Sequence, residues 1–310
     1  MVDDQLSEVF DLVQVRGLVS GGFAVRGPWV ARAPVRDPLK LIALVHGRVR
    51  LAADGVADPI DIEAGDVAIL NDRSWLSLEG GTGDGLRREV VPEESFTHLA
   101  GADPGNDDVV IGAAVDINPA ARALLLQALP PLGHVRSSDG ATGLRATLDR
   151  LLDEVTGNRA GSAFAIRQYG QLLLLEVLRA YVHQAELPAG WLRALTDERL
   201  RPAIGLMHAE PGRPWRLEEL ARAAAMSRTS FAERFRTVAG VPPLTYLSRW
   251  RMLLAQRALR DGDARIGSLA AELGYASESA FSTAFKREVG ESPLRFRQAL
   301  RFRQGKCTYS

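Results

Sequence analysis

Between about residues 10 and 100 the apolar positions alternate with polar ones or gather in short runs cut by turn residues. Leu39-Lys40-Leu41-Ile42-Ala43-Leu44-Val45 is one such run, ending at His46-Gly47. Val49-Arg50-Leu51 alternates up to Ala53-Asp54-Gly55. Ile60-Asp61-Ile62 alternates up to Glu63-Ala64-Gly65-Asp66. Val67-Ala68-Ile69-Leu70 then meets Asn71-Asp72. Short strands divided by Asp, Gly and Asn turns predict an all-β barrel or sandwich. Gly80-Gly81-Thr82-Gly83-Asp84-Gly85 reads as a hairpin loop; it has neither the spacing nor the strand-to-helix setting of a phosphate or dinucleotide loop. Residues 101–108 and 137–143, rich in Gly, Asp and Ser, read as loops.

The period then changes. Leu144, Leu148, Leu151 and Leu152 recur at helical spacing, as do Ile166, Tyr169, Leu172, Leu173, Val177 and Tyr181. These predict helices over 144–155 and 164–185, a hairpin that packs on the barrel or pairs two protomers. Pro188-Ala189-Gly190 breaks the second helix. From Leu200 onward every segment is helical in pattern, and the tail beyond Leu300 is expected to fray.

Composition narrows the class. With 46% hydrophobic residues the chain can fill a core, which excludes wholesale disorder. No apolar run approaches the roughly 18 residues of a membrane span. The acidic start Met1-Val2-Asp3-Asp4 predicts no secretory signal, and a single cysteine, Cys307, excludes an internal disulfide framework or a cysteine-based zinc cluster. A cytoplasmic location is expected. The formal charge of zero conceals a split. Residues 201–310 carry 19 Lys and Arg against 10 Asp and Glu, a net +9, while residues 1–200 carry 19 against 28, a net −9. Either an acidic module is joined to a basic one that meets a polyanion, or two solvated surfaces have segregated by chance.

A repeat favours the first. Leu217, Leu220, Ala221 and Ala225 align with Ile266, Leu269, Ala270 and Gly274. Ser227, Phe231, Phe235, Gly240, Pro243, Leu244 and Tyr246 align with Ser277, Phe281, Phe285, Gly290, Pro293, Leu294 and Phe296. In each unit one helix buries a stripe, and Ala225 or Gly274 lets two helices approach. Ser227 or Ser277 caps the next helix, a phenylalanine pair four residues apart anchors it, and glycine then proline end it. This is a helix-turn-helix layout, units about 217–238 and 266–289, with the second helix of each facing outward. The connection, Leu244 through Arg260, places Leu247, Trp250, Leu254 and Ala258 on one face. About 15 of its residues at 1.5 Å each span roughly 22 Å, which with the flanking helices suits two outward helices about 34 Å apart, one turn of B-DNA.

The run Leu217-Glu-Glu-Leu-Ala-Arg-Ala-Ala-Ala-Met-Ser227, with Gly240-Val-Pro-Pro-Leu-Thr-Tyr246, Gly274-Tyr-Ala-Ser277, Phe281, Phe285-Lys286-Arg287, Gly290 and Ser292-Pro293, closely resembles the AraC/XylS transcription regulators over residues 200–300. Gly65-Asp66-Val67, Ala128-Leu129-Pro130-Pro131-Leu132, Trp191-Leu192 and Pro214-Trp215 more loosely resemble the cupin-like sensor domain of one branch of that family. The resemblance implies that outward positions of each second helix approach base edges. Here these are Arg228, Thr229, Ser230, Ala232 and Glu233 in the first, and Glu278, Ser279, Ala280, Ser282 and Thr283 in the second. Arg can read guanine and Glu can accept from cytosine. Glu233 and Thr283 stand where the family commonly has Arg, which implies weaker affinity or a changed preferred sequence, or that neighbouring Arg234 carries more of the contact. Arg234, Arg236, Lys286 and Arg287 are the phosphate candidates; Arg249, Arg251 and Arg257 either touch phosphate or lie over the core.

The resulting expectation is an α+β multidomain chain. A cupin-like β-barrel (1–135) binds an effector, with Trp29, His46, Arg48, Arg73 and Trp75 as pocket candidates. A helical segment (136–198) dimerises, an all-α tandem helix-turn-helix domain (199–301) binds promoter double-stranded DNA, and a tail follows (302–310). RNA polymerase contact and activation are implied by resemblance. Two alternatives stay open: a metal-dependent cupin enzyme fused to a DNA-binding domain, and a DNA-binding dimer without an effector. The first needs two or three His and a carboxylate around one ion. His46, His98, His134, His183 and His208 form no H-x-H or H-x-x-x-H pair, and no nucleophile elbow is present, so no catalytic residue, metal or cofactor is expected.

Overall fold

The computed structural model describes residues 16–306 apart from 82–84, 93–94, 97–98, 100, 104, 117–125, 127, 138–141, 158, 185–186 and 263. Residues 82–84 of the glycine-rich 80–85 loop, His98 and Cys307 therefore lie outside the described residues. The chain divides into two compact units, one within 15–188 and one from Ala189 onward.

The first unit holds ten described strands in two five-stranded sheets. β1 (Arg16–Val25), β9 (Asp108–Asp116), β3 (Leu39–His46), β6 (Val67–Asn71) and β10 (Leu132–Val135) form one sheet in that order. β5 (Ile60–Glu63), β4 (Arg48–Ala53), β7 (Trp75–Gly80), β2 (Trp29–Pro34) and β8 (Arg88–Val90) form the other. One core joins them, with Phe23, Trp29, Ile42, Leu44, Leu51, Ile62, Leu70, Leu78 and Val110 inside. Helix α1 (Thr142–Thr156) packs on α2 (Ser162–Gln184) and on β3, while α2 lies against β1 and β10. Covered on both faces, β3 is buried continuously from Leu41 to Val45, which is why it reads as an unbroken apolar run.

This placement corrects the sequence-based division. The helical hairpin belongs to the same compact unit as the sheets, and residues 189–198, with the unforeseen short helix α3 (Trp191–Thr196), belong to the C-terminal unit. Strands β9 and β10 extend the sheet well past residue 100, the strand-like limit of the sequence pattern.

The C-terminal unit continues with α4 (Arg201–Ala209), α5 (Leu217–Ala223), α6 (Arg228–Ala239), α7 (Pro243–Asp261), α8 (Ile266–Glu272), α9 (Glu278–Val289) and α10 (Pro293–Lys306). Helix α10 runs to Lys306, so the expected fraying beyond Leu300 is not observed; Arg, Gln and Lys are good helix formers and need no apolar period to continue a turn. Helix α7 packs on α4 and α6 from one repeat and on α9 and α10 from the other. Its buried face therefore differs from the expected one: Leu247 and Trp250 are enclosed, Leu254 and Ala258 are half-buried, and Met252, Leu253, Ala255 and Leu259 are enclosed as well. No described helix is long and apolar enough to cross a membrane.

The repeat has a conformational reason at Ala225 and Gly274. Both have positive φ, 51° and 76°, where the chain leaves the first helix of its unit. Glycine takes this conformation freely and alanine is strained there. The residue is thus set by backbone conformation, not only by helix approach. Ala225→Gly is expected to stabilise the C-terminal unit by about 0.5–1 kcal/mol, the released strain less glycine's extra unfolded entropy. Denaturant unfolding checks it, and a destabilisation would contradict the strain.

Candidate nucleic-acid interface and interior cavity

Each second helix is built by the same local chemistry. The Ser227 hydroxyl accepts from the Ser230 amide at 3.2 Å, and the Ser277 hydroxyl accepts from the Ala280 amide at 3.1 Å. Gly240 and Gly290 close the helices with φ of 72° and 93°. Phe231, Phe235, Phe281 and Phe285 are fully buried. With that side anchored, Arg228, Thr229, Ser230, Glu233 and Arg236 of α6 stand in solvent. So do Glu278, Ser279, Ala280, Thr283, Lys286 and Arg287 of α9; Ala232 and Ser282 are half-buried beside them. The fold thus brings the base-reading candidates onto two equivalent faces.

The cations differ from one another. Arg228 pairs with Glu218 at 3.1 Å, both exposed, and such a pair is readily exchanged. Arg236 and Lys286 have no carboxylate partner among the described residues, whereas Arg287 has Glu288 at 3.4 Å. Arg234 is a correction. Its guanidinium donates to both Asp197 oxygens, at 3.2 and 2.7 Å, and the Asp197 side chain is only 9% exposed. Burial would raise the Asp197 carboxyl, but the Arg234 hydrogen bonds and the Leu200 and Arg199 amides hold it below the usual carboxylate range. A forked, part-buried pair ties α6 to the start of α4 and leaves Arg234 little charge to offer phosphate. Arg251 likewise serves packing, donating to the Pro211 carbonyl at 2.6 Å and the Arg213 carbonyl at 3.0 Å. Arg249 and Arg257 meet Glu288 and Asp261 at 3.9 and 3.7 Å.

Between the sheets of the first unit lies a cavity of about 240 Å³. Its apolar wall includes Phe23, Ile42, Leu78 and Val110, and Arg36, Asp37 and Lys40 bring charge to it. None of the five sequence-based pocket candidates lines it. Trp29 fills the core instead, its indole N–H donating to Asp108 at 2.7 Å. Arg48 is exposed and paired with Glu63. Arg73 donates to the Asp54 carbonyl at 2.6 Å, closing a turn, and Trp75 is exposed. His46 is half-buried where β3 shifts register against β9. Charge and aromaticity selected these residues; strand direction decides which side chains face inward.

The histidines are dispersed. His134 meets Asp66 at 2.8 Å, and His208 lies in the other unit. Among the described residues no three His, Cys, Asp or Glu side chains gather as a group that could hold a metal ion.

A cupin family model matches residues 4–183, and a helix-turn-helix domain model matches residues 220–299. A protein of Streptomyces lividans named as an AraC-like transcription regulator is 33% identical over 306 residues, covering 95% of this chain and 98% of that one. The chain belongs to the AraC-like transcription regulators. A second such regulator, from Streptomyces antibioticus, is 34% identical over 301 residues, covering 95% and 98% of the two chains. The transcriptional regulator AlkR of Acinetobacter baylyi is 36% identical over 177 residues, covering 56% and 58%. In this AraC-like chain the sequence pattern does not reveal Asp197, which holds Arg234, or the place of Lys40 in the cavity lining. The alternation Lys40, Ile42, Leu44 was the available signal for the latter.

Proposed function

We propose that this AraC-like regulator binds promoter DNA in the cytoplasm as a homodimer, reads two successive major-groove segments with α6 and α9, and responds to a small effector held in the N-terminal unit. The carrying observation is the pair of equivalent, identically capped helices whose outward faces stand free in a unit of net +9. Arg228, Thr229, Ser230 and Glu233, with Glu278, Ser279, Ala280, Ser282 and Thr283, are the base-reading set. Arg236, Lys286 and Arg287 supply phosphate contacts, and Arg234 positions α6. The exposed Phe164 and Leu172 of α2 support dimerisation through that helix. The interior cavity favours an effector over the effector-free dimer. Activation through RNA polymerase follows the resemblance, and no catalytic step or cofactor is assigned.

Electrophoretic mobility shifts over a range of salt test the phosphate assignment. Each of Arg236→Ala and Lys286→Ala is expected to weaken binding to all sequences alike and to reduce the log–log salt slope by about 1. An unchanged slope in both variants would contradict it.

A further inference from the structure

We infer that the cavity of the N-terminal unit binds a compact organic monocarboxylate, with the Lys40 ammonium taking the carboxylate and the apolar wall taking the body. The inference rests on the effector reading above and names the effector's class.

Side chains alternate along β3, so Lys40 lies on the same face as Ile42 and Leu44, both in the core between the sheets. Lysine on an inward face is unusual, and a buried charge is normally paired. Lys40 is half-buried at the cavity and makes no hydrogen bond or ion pair among the described residues. Among the described residues the charged ones lining the cavity are Lys40, Arg36 and Asp37, one cation in excess.

The strands beside β3 in the same sheet keep the space open. Gly21 of β1 and Gly112 of β9 are direct partners across the ladder, beside a register shift at Ser20. The Ser20 hydroxyl donates to the Gly112 carbonyl at 3.2 Å. A Cβ on Gly112 would meet nothing nearer than 3.7 Å, and the Lys40 Cε would lie 3.8 Å from it. Gly112 has no positive φ. Neither crowding nor backbone conformation requires glycine there, and its effect is an unfilled volume next to the Lys40 stem. The whole cavity, about 240 Å³, is smaller than the roughly 300–1,000 Å³ of sites for drug-sized ligands. The ligand is therefore short, one ring or a branched chain of similar size.

Calorimetric titration of the full chain with benzoate, phenylacetate, 4-methylpentanoate and the neutral benzyl alcohol tests this, with melting curves of each variant as the fold control. The expected result is that at least one carboxylate binds, that benzoate binds at least tenfold tighter than benzyl alcohol, that Lys40→Met removes this preference, and that Gly112→Val blocks both. Equal affinity for benzoate and benzyl alcohol, or an undiminished preference in Lys40→Met, would overturn the carboxylate while leaving an effector cavity. Failure of all three carboxylates to bind at millimolar concentration would also overturn it. The effector reading is then judged separately, by whether Gly112→Val alters the promoter response in cells.

Discussion

Phe281→Ala is expected to cost the C-terminal unit about 3–5 kcal/mol, the range for removing an enclosed aromatic ring. Phe281 is fully buried in a cluster with Met252, Leu259, Leu269 and Leu273. Its ring meets Tyr275 edge-on at 5.5 Å and Phe285 at 5.8 Å, so truncation empties the centre of the second helix-turn-helix unit. Residues of α7 close that core, hence the damage reaches the connection between the two units. By comparison, Ser277→Ala removes one cap and should cost about 1 kcal/mol. The unfolding transition of the C-terminal unit in denaturant measures both. A loss below about 1 kcal/mol for Phe281→Ala would mean that this ring does not hold α9 in place.

His208 carries the second large effect. It lies in α4, buried, stacked on Trp250 at 3.6 Å between centroids and hydrogen-bonded to the Tyr246 hydroxyl at 3.0 Å. Burial pushes its imidazole down from 6.5 to about 3. Attraction of an imidazolium to the Trp250 face, about 2 kcal/mol at most, is smaller than the roughly 5 kcal/mol that this displacement represents, so desolvation wins. The unfolded state binds the proton first as pH falls. Stability is therefore full above pH 6.5 and declines below it, until the folded state also protonates near pH 3. The loss should reach about 2 kcal/mol at pH 5. His208→Phe keeps a ring in the stack and removes the titration. Parallel denaturant series from pH 7 to pH 4.5 should show the wild type losing about 2.5 kcal/mol more than the variant; equal losses would contradict a buried neutral histidine.

What was legible follows from how local each signal is. Ser227, Ser277, Gly240 and Gly290 act on backbone within a turn of themselves, and the phenylalanine pairs repeat at helical spacing, so the caps and ends of both second helices are readable in the sequence. The strain at Ala225 shows only through its alignment with Gly274, because alanine by itself signals helix. Arg234 looked free because Asp197, its partner, is 37 residues away. Strand β9 escaped notice because its apolar run follows the Gly- and Asp-rich stretch taken as a loop, yet it pairs with both β1 and β3. The pocket candidates stay clear of the cavity for a different reason. Trp29 and Arg73 have the right chemistry, but the fold uses one as core and the other as a turn brace. Lys40 was hidden in plain view within an apolar run, and only the neighbouring sheet gives its direction meaning.

The central claim is that one chain reads DNA with two equivalent helices. Hydroxyl-radical footprinting of the full protein, on DNA it selects from a random pool at low salt, tests this most directly. Two protected major-groove segments per chain are expected, centred about one helical turn, roughly 34 Å, apart on one side of the duplex. Phe281→Ala should lose one of them. A single protected segment per chain, or protection that survives intact in Phe281→Ala, would contradict it.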